Sequence, residues 1–521
     1  MQGSKNSAAS PSSEIPRRGA GWLEWVVVAL VAAGVSALAI SWFFNRGYTL
    51  YYGDAESHLN IARRILDGRH PGYEQIGTVW LPLPHLLMMP FAHNDRWWQS
   101  GIAGSLSSGA CFVIACVFLF GAVRRVFDSR SAALATVALF ALNPNLLYLQ
   151  SAPMTEPVFF AALCGMLFAC SLGARPVSIA LAAICSNAAS LTRYEGWFLI
   201  PFVALYFLIV APRRRILYAL SFGALASLAP LYWLGHNWYC CGGALAFYNG
   251  PGSAIQIYQS FLDKGGARYP GDHEWGKAIL YFRTAAQMTM GWPLIWIGLA
   301  GSAAALWKRA FWPVIFLLLS PIFYILSMYT SSAPIFVPQL WPNGYYNTRY
   351  SLAVLPWLAF GAAGLVALAP QRFRGWLAVV LIAGGIAPWI SAPKPQAWLC
   401  WKESQVNSDA RREWTRQAAA YLASHYQPGT GILISFGDLT GILREAGIPI
   451  RESVHQGDGP EWEAQIFRPE LFLGAEEWAI GFSNDAVSRA VWKASRKGQR
   501  YRLVRLIEVK GAQAVELYRR D

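Results

Sequence analysis

Charge is scarce in this sequence. Only 14% of its 521 residues are Asp, Glu, Lys or Arg, against about 25% in a soluble globular chain, too few to coat a water-exposed particle of this size. With 55% apolar residues the chain as a whole is not disordered, and it has no Gly-X-Y period, which excludes collagen. Cysteine is sparse as well: eight residues exclude a disulfide scaffold, and no Cys/His spacing matches a zinc site. Cys111, Cys116, Cys164, Cys170 and Cys185 fall within apolar runs and act there as small apolar residues. Cys240, Cys241 and Cys400 fall outside them, where a bridge from one of the first two to Cys400 is an option. No phosphate-binding glycine loop and no internal repeat is present.

What the chain has in abundance is long apolar runs. Eleven of them, at 22–44, 100–121, 132–150, 155–172, 177–192, 196–211, 216–235, 288–306, 311–329, 350–369 and 375–391, contain no Lys or Arg and approach the 17 to 25 residues that cross a bilayer. The fold class expected is therefore a polytopic α-helical membrane protein of about eleven transmembrane helices. The first run, at 23 residues, is too long for a secretory h-region and reads as a retained span.

Orientation follows from the basic residues. With a cytoplasmic N-terminus, the inner segments 1–21, 122–131, 173–176, 212–215, 307–310 and 370–374 hold 14 Lys and Arg in 48 residues, while the outer loops hold 11 in about 134. That is the positive-inside pattern of a multi-pass inner (plasma) membrane protein. The net charge of +14 is accordingly a topology signal, and no nucleic-acid partner is read from it.

Three domains are expected. Residues 1–21 form a disordered cytoplasmic tail, 22–391 a membrane domain, and 392–521 a small soluble extracytoplasmic α/β domain. The membrane domain carries long outer loops at 45–99, 236–287 and 330–349, and long loops on one face of a rigid scaffold carry function. In the last domain helices are expected at 407–424, near 439–446 and at 485–496, with strands at 431–435 and 478–482 and a hairpin from 501–509 and 514–518.

The most informative segment is the first outer loop. Ala55, Leu59, Ala62, Ile65 and Leu66 recur at helical spacing until Gly68, giving a short amphipathic helix with Asp54 at its N-cap and Glu56 in its first turn. Capping and helix-dipole stabilisation of about 0.3 to 1 kcal/mol account for such acids without any chemistry. Against that stand the position just after a span, the preceding Tyr51 and Tyr52, and His58 one turn after Asp54. A carboxylate at the bilayer edge beside a histidine suits a general base.

This loop resembles that of a known group. Gly53, Asp54, Ala55 and Glu56, through Ala62, Arg63, Leu66 and Gly68, followed by Trp80, Leu81, Pro82, Leu83 and Pro84, look like the first periplasmic loop of GT-C membrane glycosyltransferases. The branch containing protein O-mannosyltransferases and lipid A aminoarabinose transferases is the most similar. Thr155-Glu156-Pro157, Thr192-Arg193-Tyr194-Glu195-Gly196 and Thr348-Arg349-Tyr350 agree with it. The resemblance covers 22–391 as architecture and implies an inverting transferase that takes a sugar from a polyprenyl phosphate, with membrane lipids around it and an acceptor (protein, glycan or lipid) left unidentified.

Such chemistry assigns roles. Asp54 is the expected base, with Glu56 as its catalytic neighbour, and Arg193 and Arg349 suit a phosphate clamp, although snorkelling to the interface explains arginines there equally well. His58, His85, Glu195, His236 and Tyr350 complete the substrate-binding candidates. Asp54, Glu56 and Glu156 together suit a divalent cation such as Mg or Mn, an option weighed against basic residues doing the same work, and no cofactor is certain. The competing classes are a lipid or solute transporter or flippase and a non-catalytic envelope assembly protein. A transporter places ionisable groups near the midplane and shows related halves, whereas acids here avoid the span centres and the large elements are one-sided.

Overall fold

The computed structural model describes residues 21–392, 394–498 and 500–521. Apart from Gly21, the tail expected over 1–21 lies outside them. Each of the eleven apolar runs is helical. In chain order the membrane domain begins with α1 (Trp22–Phe44), and the first long loop carries α2 (Gly53–Asp67), α3 (Leu83–Ala92) and α4 (Asp95–Ser100). Next come α5 (Ile102–Phe127), α6 (Arg130–Ala141), α7 (Pro144–Gln150), α8 (Glu156–Ser171), α9 (Pro176–Ser190), α10 (Glu195–Val210), α11 (Arg215–Ala226) and α12 (Leu228–Cys241). The second long loop holds α13 (Ala246–Asn249) and α14 (Ala254–Asp263), and α15 (Trp275–Trp307) and α16 (Phe311–Tyr329) follow. A 3-10 turn at Thr348–Val354 leads into α17 (Leu355–Leu368), and α18 (Arg374–Ser391) ends the membrane domain.

Among the described residues seven helices are long and apolar enough to cross a bilayer, and eight if the α6–α7 pair is one span. Helices α8, α9 and α10 are apolar but shorter, at 16, 15 and 16 residues. The run 132–150, expected as one straight span, is instead bent by 67° between α6 and α7. The cause is local: Asn143 caps α7 by accepting from the N–H groups of Asn145 (3.0 Å) and Leu146 (3.4 Å), and Pro144 takes the first helical position. The run 288–306 likewise belongs to a helix that starts earlier, at Trp275, and kinks at Gly291 (φ +70°) just before Pro293.

Close helix packing fixes the part of the bundle that the site depends on. Helices α15 and α17 meet through Gly298, Gly301, Gly361 and Gly364; a Cβ on Gly301 would stand 1.9 Å from the Gly361 carbonyl oxygen. Only glycine permits that approach, the small-residue packing used where no hydrophobic effect drives helices together. Because the 3-10 turn before α17 carries Arg349, this contact also sets the height of Arg349 in the bundle.

The C-terminal domain starts with α19 (Lys394–Ala397) and α20 (Leu399–His425), and continues as β1 (Ile432–Ile434), α21 (Thr440–Ala446), β2 (Ser453–Val454), α22 (Pro460–Phe467), α23 (Pro469–Phe472), β3 (Trp478–Phe482), α24 (Ala486–Arg496), β4 (Tyr501–Ile507) and β5 (Val515–Arg520). The sheet order is β2-β1-β3-β5-β4, with β1 parallel to β2 and β3 and the β4–β5 hairpin antiparallel. Trp414 and Leu422 of α20 pack with Ile432, Ile434, Trp478 and Leu517 of the sheet. Helix α20 is longer than the expected 407–424 because its first turns belong to the membrane domain's core: Trp401 and Cys400 are buried there. Cys400 is thereby placed by Thr348 (Oγ1 to Sγ, 3.9 Å), and all eight cysteines are free, so the bridge to Cys240 or Cys241 is not formed.

Candidate active site

Helix α2 is where the two domains meet. Its N-terminal turn points Asp54 and Glu56 in different directions, since residues two apart are about 200° apart around a helix. Glu56 is 4% exposed and turns toward the C-terminal domain. Its carboxylate accepts from Arg411 of α20 (2.6 Å) and Arg444 of α21 (3.0 Å). Arg411 also donates to the Tyr51 carbonyl (2.9 Å) and Arg444 to that of Gln99 (2.6 Å). Glu56, expected as a catalytic neighbour of Asp54, is held in a buried ionic tie and is not among the residues that line the cavity described below.

Asp54 faces the other way. Its Oδ2 accepts from Nη2 of Arg349, whose Nε donates to Glu156 Oε1 (3.2 Å). The same Glu156 oxygen accepts from Arg193 Nη1 (3.0 Å), and Arg193 Nε reaches Glu195 (3.2 Å) and the Tyr324 hydroxyl (3.0 Å). Tyr350 lies against both guanidiniums, 4.9 Å from that of Arg349 and 5.1 Å from that of Arg193. The chain thus brings together Asp54, Glu156, Arg193, Glu195, Arg349 and Tyr350 from four separate segments, as an alternating relay of carboxylates and arginines. Asp54 is its open end: its side chain is 39% exposed, against 7% for Arg349 and 5% for Glu156.

That open end lines a cavity of about 870 Å³. Asp54 and Trp80 come from the first loop, Ile257, Phe261 and Arg268 from the second, Trp341, Tyr346 and Arg349 from the third, and Glu403, Asn407 and Asp438 from the C-terminal domain. Most of the wall is apolar, and its charged lining residues are the acids Asp54, Glu403 and Asp438 and the arginines Arg268, Arg349 and Arg411. The loop carrying Arg349 is itself held: Glu403 accepts from the N–H groups of Asn347 (2.8 Å) and Thr348 (2.8 Å) and from the Thr348 hydroxyl, and Asn347 takes a left-handed φ of +54°. Burial raises the Glu403 carboxyl, against the charge of Arg349.

The three histidines fall elsewhere. His58 does not sit beside Asp54 as the wheel suggested; it turns to α3, where its Nδ1 meets Nε2 of His85 at 2.9 Å, under Trp80 at 4.4 Å. Burial, then the charges of Arg349 and Arg193, push His58 down to about 3, and burial drives His85 well below the usual histidine range. Neither is among the residues that line the cavity. His236 bonds the Gly77 carbonyl (2.8 Å) and the Tyr73 hydroxyl (2.6 Å) and stacks on Trp233, tying α12 to the first loop away from the cavity. A convergence of Asp54, Glu56 and Glu156 on one cation is not formed either. Glu56 faces the other domain, Glu156 is occupied by two arginines, and among the described residues no three His, Cys, Asp or Glu side chains cluster at metal-binding distance.

Four groups at the cavity, Arg268, Glu403, Arg411 and Asp438, were not singled out in the sequence. The last three lie more than 340 residues from Asp54 and carry no local signal; Arg268 stands in the second long loop, where no motif marked it.

No protein-family model matches the sequence, and no curated protein matches it. Solved structures do. ArnT from Cupriavidus metallidurans bound to undecaprenyl phosphate superposes with a TM-score of 0.57 over 95% of this chain and 98% of that one, at 13% identity. Its apo state gives 0.53 over 95% and 97%, also at 13%. The fold is GT-C. Within the GT-C arrangement the candidate site occupies the face that the three long loops and the C-terminal domain share.

Proposed function

We propose that the chain is a membrane glycosyltransferase that moves a sugar from a polyprenyl-phosphate-linked donor to an acceptor at its loop face, with inversion and with Asp54 as general base. One observation carries this reading: Asp54, the open member of a buried charge relay, meets a large, mostly apolar cavity that Arg268, Arg349 and Arg411 also line. The GT-C fold, shared with a protein crystallised with undecaprenyl phosphate, supports it.

In the reaction the acceptor hydroxyl gives its proton to the Asp54 carboxylate as its oxygen bonds the anomeric carbon. The bond from that carbon to the phosphate oxygen breaks, and its electron pair leaves with the polyprenyl phosphate. Arg349 holds the Asp54 carboxylate in place through their hydrogen bond. Arg268, exposed on the same cavity, meets the charge that gathers on the departing phosphate. Attack from the side opposite the leaving group inverts the anomeric centre.

The loop face is extracytoplasmic in this reading and the N-terminus cytoplasmic. Cys241, exposed at the end of α12, tests that directly: an impermeant maleimide labels it in intact cells if the loops face outward. For activity, purified full-length protein in liposomes is given a panel of radiolabelled polyprenyl-phosphate sugars. Release of polyprenyl phosphate by the wild type and its loss in Asp54→Asn support the proposal; no release from any donor, or full release by Asp54→Asn, overturns it.

A further inference from the structure

The C-terminal domain does more than dock. Its sheet has a switch point at β1, flanked by β2 on one side and β3 on the other, and in such sheets the crevice at the carboxyl ends of the parallel strands is where ligands bind. Here that edge is turned toward α2. The loop leaving β1 passes through Gly437 (φ +106°) and delivers Asp438 to the cavity wall, over the N-terminus of α2. A Cβ on Gly53 would stand 3.5 Å from Asp438 Oδ1, which places the carboxylate one residue from Asp54 along the helix.

Asp438 is only a loose arm of the ionic tie that holds the domains together, an ion pair with Arg411 and no hydrogen bond. Arg411 is satisfied by Glu56 at 2.6 Å and by the Tyr51 carbonyl at 2.9 Å, whereas Asp438 stands 3.7 Å from it, beyond hydrogen-bond range. Within the described residues its side chain takes no hydrogen bond, and it is 54% exposed, to the cavity. Partial burial raises its carboxyl, and the Glu56 and Asp54 carboxylates push the same way against Arg411. A carboxylate with free acceptor oxygens, brought beside a second carboxylate inside a walled cavity, is matched by a ligand rich in hydrogen-bond donors.

We propose that Asp438 contacts the hydroxyl groups of a pyranose bound beside Asp54, so that the C-terminal domain supplies a specificity-determining residue of the site. The pyranose rests on the glycosyltransferase reading above; the geometry of Asp438 does not. Either the sugar being transferred or a sugar of the acceptor presents the same hydroxyls.

The test uses the full chain in nanodiscs, with methyl pyranosides as probes in saturation-transfer NMR and undecaprenyl phosphate binding and thermal unfolding measured alongside. Asp438→Asn and Asp438→Ser are expected to weaken pyranoside binding at least tenfold while leaving the unfolding midpoint and lipid binding unchanged. Equal pyranoside binding by wild type and both variants overturns the proposal, as does a wild type that binds no pyranoside. In the transfer assay, a raised KM for the donor with kcat held points to the transferred sugar, and a raised acceptor KM to the acceptor. If pyranosides bind in an Asp438-dependent way but the wild type neither binds undecaprenyl phosphate nor transfers a sugar, the lipid-donor reading fails and this one stands.

Discussion

Glu56 and Arg411, 355 positions apart, share a 2.6 Å charge-assisted hydrogen bond in the interior of the molecule. Two residues earlier on the same helix, Asp54 pairs with Arg349 at the rim of the cavity. One short helix therefore does two jobs on its two sides: it anchors a soluble domain and it presents the group proposed to do the chemistry.

Replacing Asp54 by Asn keeps the shape and removes the base. Transfer is expected to fall about 10²- to 10⁴-fold, with little change in the unfolding midpoint because the side chain is partly exposed. Arg349→Lys, which loses the fork joining Asp54 to Glu156, is expected to lower transfer about tenfold or more. Steady-state rates of both variants with one donor check this.

Glu56→Gln leaves Arg411 and Arg444 buried without their counter-charge. Removing one partner of such a tie costs about 3 to 5 kcal/mol, so the C-terminal domain should loosen from α2. Limited proteolysis should then cut between the domains in the variant and not in the wild type. Burial pushes the Glu56 carboxyl up, but Arg444 and Arg411 outweigh it and hold it below the usual range. The tie's contribution is accordingly present above the unfolded carboxyl value and is lost as pH falls through the lower folded one.

Acid should weaken the fold well before the carboxylates protonate. His58 and His455 both stand at about 3 in the folded protein, in each case through burial first, against about 6.5 when unfolded. Below pH 6.5 the unfolded chain takes up protons that the native one refuses, so stability falls with falling pH down to about 3, by about 1.4 kcal/mol per pH unit for each histidine. Denaturant unfolding across pH 4 to 7 reads the slope, and His455→Gln should reduce it by about one proton.

Gly301→Leu should prevent α15 and α17 from meeting. Overpacking of this kind costs about 1 to 3 kcal/mol even in forgiving cores, and here the obstacle is backbone. The variant should unfold at lower temperature and lose transfer through displaced Arg349, whereas Gly276→Ala, with open space around it, should behave as wild type.

Much of this was legible in the sequence. Sheer apolarity marked the membrane helices, and the strand expected at 478–482 and the helix expected at 485–496 are formed as Trp478–Phe482 and Ala486–Arg496. Asp54, Arg349, Glu156, Arg193 and Tyr350 were named from short motifs and are assembled in space. What the sequence hid was partnership. Helical spacing put His58 on the face of Asp54, but side-chain direction is set by α3, which supplies His85. Glu403, which shapes the Arg349 loop, sits in a helix whose residues otherwise read as a soluble amphipathic segment. The bend before α7 was written in Asn143 and Pro144, yet an unbroken apolar run masked it.

Helices α9 and α10, at 15 and 16 residues, reach only about 24 Å at 1.5 Å per residue, less than the roughly 30 Å of a typical hydrocarbon slab. Val177, Ile184, Leu205 and Ile209 on them face outward, so lipid tails must meet them directly. A bilayer meeting these helices is expected to thin along that flank, and reconstitution in lipids of graded acyl length should reveal a preference for the shorter chains.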